Sequence, residues 1–174
     1  MDTDYIRSHI RTISDFPEKG IQFKDITPLL LDAKANELTL LALLEPLKTL
    51  SVDKIVGLES RGFLFGPSLA KDLRAGFVPA RKKGKLPYIT TQKEYGLEYG
   101  KDILEMHIDA IKPGEKVIIH DDLLATGGTA KAATELVLEL GGHVIGYSFI
   151  IELGFLSGKN QLLEDVPMHY IIKY

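Results

Sequence analysis

One stretch limits what this chain can become more than any other: Val117 to Thr129, VIIHDDLLATGGT. Its β-branched apolar run (Val117, Ile118, Ile119) favours a buried strand, two adjacent carboxylates (Asp121, Asp122) close that strand, and a small-residue loop (Ala125, Thr126, Gly127, Gly128, Thr129) opens an alanine-rich helical segment. Strand, loop and helix N-terminus form one unit. Such units belong to α/β architecture, where ligands gather beyond the carboxyl ends of the strands.

The chemistry of the unit suits a phosphorylated sugar. Glycines let a backbone come close to a ligand, the first-turn N–H groups of a helix have no acceptor within it, and the helix dipole favours an anion there. Thr126 and Thr129 add hydroxyl donors, while Asp121 and Asp122 can accept hydrogen bonds from vicinal hydroxyls or hold a hydrated divalent cation. On the residues alone, the same string also fits an ordinary strand-to-helix crossing with a capping aspartate. The loop lacks the Gly-Lys-Ser/Thr of a P-loop, and no Gly-x-Gly-x-x-Gly follows any strand, which argues against ATP hydrolysis and a dinucleotide cofactor.

This string resembles the phosphoribosyl pyrophosphate (PRPP) motif of the type I phosphoribosyltransferases, in the form carried by members that use adenine. Three further stretches resemble the family in order and spacing: Asp15-Phe16-Pro17 through Gly20 to Asp25-Ile26-Thr27-Pro28, Glu59-Ser60-Arg61-Gly62 through Pro67, and Gly84-Lys85-Leu86-Pro87 with Leu97-Glu98-Tyr99-Gly100.

A chain of 174 residues with 45% hydrophobic content suits a single domain, residues 1–174. A net charge of −3 gives no global reason to bind nucleic acid or an anionic membrane, so an anion site must be a local cluster of basic residues. With no cysteine, disulfides, thiolate nucleophiles and cysteine-based zinc sites are excluded. The charged start, MDTDYIRSHI, and the lack of a long apolar run predict neither a signal peptide nor a membrane span, so residence is expected to be cytoplasmic.

In chain order, Ile6, Ile10 and Ile13 predict an amphipathic N-terminal helix capped by Asp2 or Thr3. Asp15 to Asp25 is too rich in Pro, Gly and charge for a regular element, and its Phe16 and Phe23 fit core anchors as well as ligand-stacking rings. Asn36 to Leu50 reads as a helix broken before Pro46. Lys54 to Leu58 is a strand that runs into Ser60 and Arg61, and Phe63 to Ala75 returns to helix. Gly76 to Ala80 is another strand, followed by Arg81, Lys82, Lys83 and Lys85, a run that fits a solvated face or an anion clamp. Gly84 to Lys93 reads as a mobile loop, Ile103 to Ile108 as a strand of a hairpin, and Pro113-Gly114 as a turn. A helix over Thr129–Leu140 and strands over Val144–Ile151 and Met168–Tyr174 complete the chain. Gly154 to Lys159 misses P-loop spacing by one residue, and the five histidines lack metal-ligand spacing.

The expected fold is a twisted, mostly parallel sheet with helices on both faces. The resemblance adds a flexible β-hairpin lid at about 81–101 and a small hood from about 15–30 plus the C-terminal segment. It implies transfer of the phosphoribosyl group of PRPP to adenine, giving AMP and pyrophosphate through an oxocarbenium-like state. Ser60, Arg61, Arg81, Lys82, Lys85, Tyr99, Asp121, Asp122, Ala125, Thr126, Gly127, Gly128 and Thr129 would bind PRPP or AMP. Gln22, Phe23, Lys24 and Leu153 would bind adenine, and Glu98 would handle the purine proton. Mg²⁺ would be held mainly by PRPP, near Asp121 and Asp122, without direct protein ligands. The resemblance also implies a cis peptide at Glu59–Ser60, a homodimer, and an aliphatic residue where this chain has His120. Hypoxanthine or guanine as the base, and a non-catalytic PRPP sensor, are the rival readings.

Overall fold

The alternation of short β-branched runs with leucine- and alanine-rich segments is realised as a sheet covered on both sides. In the computed structural model, which describes residues 2–97 and 100–174, α1 (Thr3–Ser8) is capped by the Asp2 carboxylate, which accepts the Tyr5 N–H at 3.0 Å. The helix is shorter than its isoleucine spacing predicts. Ile13 lies instead in β1 (Arg11–Ser14), paired antiparallel with β2 (Gln22–Asp25), so that Ile13 faces Phe23 in register. An i, i+3 isoleucine pair fits either element, and the pairing partner decides. The segment ending at Asp25, expected to be irregular, thus carries a strand, with a cis Phe16–Pro17 peptide in the intervening loop.

Next come α2 (Thr27–Leu31) and α3 (Ala33–Leu44), the latter capped by Asp32, whose Oδ1 accepts the Ala35 N–H at 2.7 Å. Pro46 sits in a short 3₁₀ turn, Glu45–Leu47, so the helix does break ahead of it. The strand β3 (Lys54–Leu58) leads into a 3₁₀ turn, Arg61–Phe63, and only then α4 (Gly66–Asp72), because Pro67 starts a helix more readily than it continues one. β4 (Gly76–Lys82) runs two residues past the expected end and takes in Arg81 and Lys82.

β5 (Thr90–Leu97) and β6 (Gly100–His107) form an antiparallel hairpin. Thr90 to Lys93, expected in a loop, are therefore strand residues; each pairs with a residue of β6. β7 (Lys116–Leu124), α5 (Gly128–Glu139), β8 (His143–Glu152) and β9 (Met168–Lys173) follow, with two 3₁₀ turns, Gly154–Leu156 and Gly158–Gln161, between the last two strands.

The main sheet has seven strands in the order β5-β6-β4-β3-β7-β8-β9. β4, β3, β7, β8 and β9 are mutually parallel, and the hairpin is the antiparallel edge. Side chains alternate across β7: Val117 and Ile119 join the core under α5, whereas Ile118 joins the core on the opposite face with Leu47, Ile55 and Ala70. α1 to α4 cover that second face with Ile150 and Ile172. Because β3, β4, β7 and β8 are parallel, the segments after Leu58, Lys82, Leu124 and Glu152 all emerge at one sheet edge.

Candidate active site

At that edge, β7 ends in the carboxylate pair. Asp122 is 3% exposed and its Oδ2 lies 3.2 Å from Arg61 Nε, while Asp121 Oδ1 accepts the Asp122 N–H at 2.8 Å. Burial, and then the adjacent Asp122 carboxylate, push Asp121 well above the usual carboxylate range. Burial also raises Asp122, and the Arg61 guanidinium pulls it partly back.

The Ala125–Thr129 loop carries Gly127 in the left-handed region (φ 86°) as the residue preceding α5, with no side-chain cap. The N–H groups of the first turn are thus presented as donors at the positive end of a 12-residue helix. A cavity of about 150 Å³ is lined by this loop together with Asp121, Leu58 and Phe149. The small residues have a second purpose. A Cβ at Gly127 would stand 2.4 Å from the Gly158 carbonyl oxygen, and one at Gly128 would stand 2.8 Å from the Gly96 carbonyl oxygen of the hairpin. The close approach at Gly128 is therefore to the protein's own backbone.

A second cavity, about 370 Å³, is lined by Glu59, Ser60, Arg61, Lys82, Lys85, Asp121, Asp122 and Leu123. It adjoins the first at Asp121 and Leu123. The Glu59–Ser60 peptide is cis. Glu59, to whose side chain the sequence assigns no site role, is a hub: its carboxylate accepts from Lys85 Nζ at 2.7 Å, from the Lys82 N–H at 2.8 Å and from Arg81 Nη2 at 3.2 Å. Burial alone would raise its pKa, but the Lys85, Lys82 and Arg81 donors outweigh that and hold it at about 2. Arg81 also donates to the Lys85 carbonyl at 3.0 Å, and Lys82 pairs with Asp102 at 2.9 Å. The Tyr95 hydroxyl reaches the same Asp102 carboxylate at 3.4 Å.

Arg61 also reaches the two-stranded sheet. Its guanidinium lies 4.9 Å from the Phe23 ring centroid and donates to the Lys24 carbonyl at 3.3 Å. Phe16 meets Phe23 edge-on at 5.1 Å. Lys24 Nζ donates to Thr12 Oγ1 at 2.9 Å and lies over the Tyr174 ring at 3.9 Å, which ties β2 to the C-terminus. Gln22 is exposed on β2, and Leu153 is half-buried after β8, its N–H donating to the Leu124 carbonyl. The fold thus gathers Ser60, Arg61, Lys82, Lys85, Asp121 and Asp122 round one cavity and Ala125 to Thr129 round its neighbour. Phe23 and Lys24 join the first through Arg61. Glu98 and Tyr99 lie outside the described residues.

A profile of the phosphoribosyl transferase domain matches residues 34–169. The chain is 55% identical over 169 residues to adenine phosphoribosyltransferase of Flavobacterium johnsoniae, an alignment that covers 97% of this chain and 99% of the relative. It belongs to the adenine phosphoribosyltransferase family. Adenine phosphoribosyltransferase of Rhodothermus marinus superposes with a TM-score of 0.95 at 53% identity, covering 99% of this chain and 98% of the other. The Saccharomyces cerevisiae enzyme, complexed with an imino-altritol bisphosphate and adenine, gives 0.91 at 41% identity with 98% of both chains covered. The mostly parallel sheet flanked by helices is thus the fold of adenine phosphoribosyltransferases.

His120 is fully buried, with Nδ1 3.0 Å from the Ser148 carbonyl and Nε2 without a hydrogen-bond partner; burial lowers its pKa to about 4. Among the described residues there is no cluster of three or more His, Asp or Glu able to hold a metal. Two carboxylates, one already paired with Arg61, suit a Mg²⁺ that arrives on a polyphosphate and keeps much of its water. No helix among the described residues is long and apolar enough to cross a membrane.

Proposed function

We propose that this chain transfers the phosphoribosyl group of PRPP to adenine, giving AMP and pyrophosphate. The observation that carries this reading is the junction of the two cavities at Asp121 and Leu123. Helix N–H donors lie on one side, cations on the other, and carboxylates between them. PRPP has the same order: 5′-phosphate, ribose hydroxyls, pyrophosphate.

The Gly127–Thr129 backbone and the Thr126 and Thr129 hydroxyls hold the 5′-phosphate, with Ala125 keeping the loop narrow. Asp121 and Asp122 accept the ribose hydroxyls. Ser60, Arg61, Arg81, Lys82 and Lys85 face the pyrophosphate. Adenine stacks on Phe23 against Leu153, and main-chain groups of Gln22 to Lys24 read its edge. Adenine N9 bonds to the anomeric carbon as the bond to pyrophosphate breaks, and the N9 proton goes to Glu98 while Tyr99 helps close the 81–101 segment as a lid. Mg²⁺ would be held mainly by PRPP, near Asp121 and Asp122, and would supply charge neutralisation for the leaving group. Residues 15–30 and the C-terminal segment act as the hood of a single domain, and a cytoplasmic homodimer completes the reading.

Single-turnover assays with PRPP and adenine, hypoxanthine or guanine test this. AMP should form fastest; faster transfer to either other base would make it a different transferase, and PRPP binding without transfer would favour a sensor. Glu98→Gln should slow the chemical step roughly 10²- to 10⁴-fold, the scale of general acid–base catalysis, with little change in PRPP affinity. An unchanged step would send the proton elsewhere.

A further inference from the structure

Among the described residues, the cations that line the larger cavity, Arg61, Lys82 and Lys85, each already have a carboxylate partner: Arg61 has Asp122, Lys82 has Asp102, and Lys85 shares Glu59 with Arg81 just outside the lining. An anion entering this cavity does not meet bare positive charge. It must take donors away from carboxylates that hold them.

Glu59 dominates that competition. Its side chain is 7% exposed and lines the cavity, and it sits at the end of β3, where its N–H donates to the Ala80 carbonyl at 3.0 Å. Backbone pairing and three donors keep the carboxylate in place. Of the two side-chain donors to Glu59, Lys85 is the more exposed, at 49% against 33% for Arg81, so it is the group able to change acceptors. A phosphate oxygen can replace the carboxylate at its ammonium without leaving the ammonium bare. The fixed carboxylate and the anion then share one cavity and repel each other.

We propose that Glu59 is a positioning residue for pyrophosphate release: it yields Lys85 to the pyrophosphate group of bound PRPP and takes Lys85 back once the bond to ribose is broken. The asymmetry comes from anchoring. Intact PRPP is also held by the Gly127–Thr129 loop and the Asp pair, so it tolerates the repulsion. Free pyrophosphate has lost those contacts and meets a competitor already in place. This inference rests on the reading of the larger cavity as the pyrophosphate site.

The test is inhibition of the full-length protein by inorganic pyrophosphate with Mg²⁺, alongside single-turnover kinetics. Glu59→Gln should lower the pyrophosphate inhibition constant roughly 10-fold, the size of one hydrogen bond to a charged group, and slow product release more than it changes the chemical step. In a Lys85→Met background the same substitution should tighten pyrophosphate clearly less, because the competition for Lys85 is gone and only the repulsion remains, a coupling that a merely structural role for Glu59 would not produce. Should Glu59→Gln fail to fold, Glu59→Asp carries the test, because a carboxylate shortened by one methylene grips Lys85 less and should also lower the constant. An inhibition constant that is unchanged or higher in whichever variant folds overturns the proposal. If Lys85→Ala leaves pyrophosphate binding intact, the cavity is not the pyrophosphate site and the parent reading fails; if Lys85→Ala weakens it and Glu59→Gln does nothing, only the role of Glu59 falls.

Discussion

The two halves of the site are built on opposite principles. The loop at the start of α5 offers backbone donors whose positions are set by a left-handed Gly127 and by packing against Gly158 and Gly96, with no ionised side chain of its own. The cavity beside Glu59 offers charged side chains, each of which is already paired with a carboxylate. In the proposed reading, the first is a preformed backbone cradle for an anion, and the second is a neutralised network that an anion would have to re-pair. Substitutions in the cradle should therefore act through shape, and those in the network through charge.

The largest effect should come from the cradle. Gly127→Val forces a β-branched side chain into φ 86° and against a carbonyl that a Cβ would meet at 2.4 Å, so kcat/KM for PRPP should fall on the order of 100-fold or more, as misplaced groups at reacting centres do. Steady-state kinetics with varied PRPP would show it, and near-normal kinetics would mean that the cradle's shape does not matter. Gly128→Val should act by pushing on the hairpin at Gly96. A crystal structure with the hairpin unmoved would remove that explanation.

Between the halves, Asp121→Asn with Asp122→Asn keeps shape and removes charge, and PRPP affinity should fall roughly 10-fold or more for the loss of charge-assisted hydrogen bonds. Isothermal titration with Mg²⁺ and PRPP reads this, and unchanged affinity would separate the pair from the ribose. In the network, Arg61→Ala should weaken pyrophosphate more than adenine. It should also destabilise the protein by roughly 1 to 3 kcal/mol, because Asp122 would be left buried without its partner. Denaturant unfolding alongside inhibition assays would separate the two effects.

The effect most remote from the reaction lies beneath the site and concerns acid stability. His120 titrates near 4 in the folded protein and near 6.5 when unfolded, so the unfolded state binds more protons between those values and stability falls as pH drops through that window. The full loss should approach about 3 kcal/mol below pH 4, from roughly 1.4 kcal/mol per pH unit. His120→Val should flatten that segment of the stability curve, measured by denaturant melts from pH 7 to pH 4. A variant with the same acid slope would acquit the histidine.

What could be read from the sequence divides along the same line. The strand–loop–helix unit was legible because its residues are contiguous, from strand through carboxylates and glycines to helix. The parallel strands and the break before Pro46 were legible because each depends on local pattern. The network was not, because Lys85 is joined to a carboxylate 26 residues earlier and Lys82 to one that pairs through a later strand. Nothing near the basic run signals that it is neutralised. Ile13 and Thr90 to Lys93 were misread for the same reason: the β-pairing that makes them strands is supplied by residues well along the chain. Nor does the sequence show that a side chain at Gly128 would meet Gly96, more than 30 residues before it.

The most direct test of the account is a crystal structure of the protein with AMP, pyrophosphate and Mg²⁺. The 5′-phosphate should accept hydrogen bonds from the Gly127–Thr129 backbone, the ribose hydroxyls should meet Asp121 and Asp122, and pyrophosphate should lie against Ser60, Arg61 and a Lys85 that has left Glu59. Either anion outside its cavity, or the two interchanged, would contradict it.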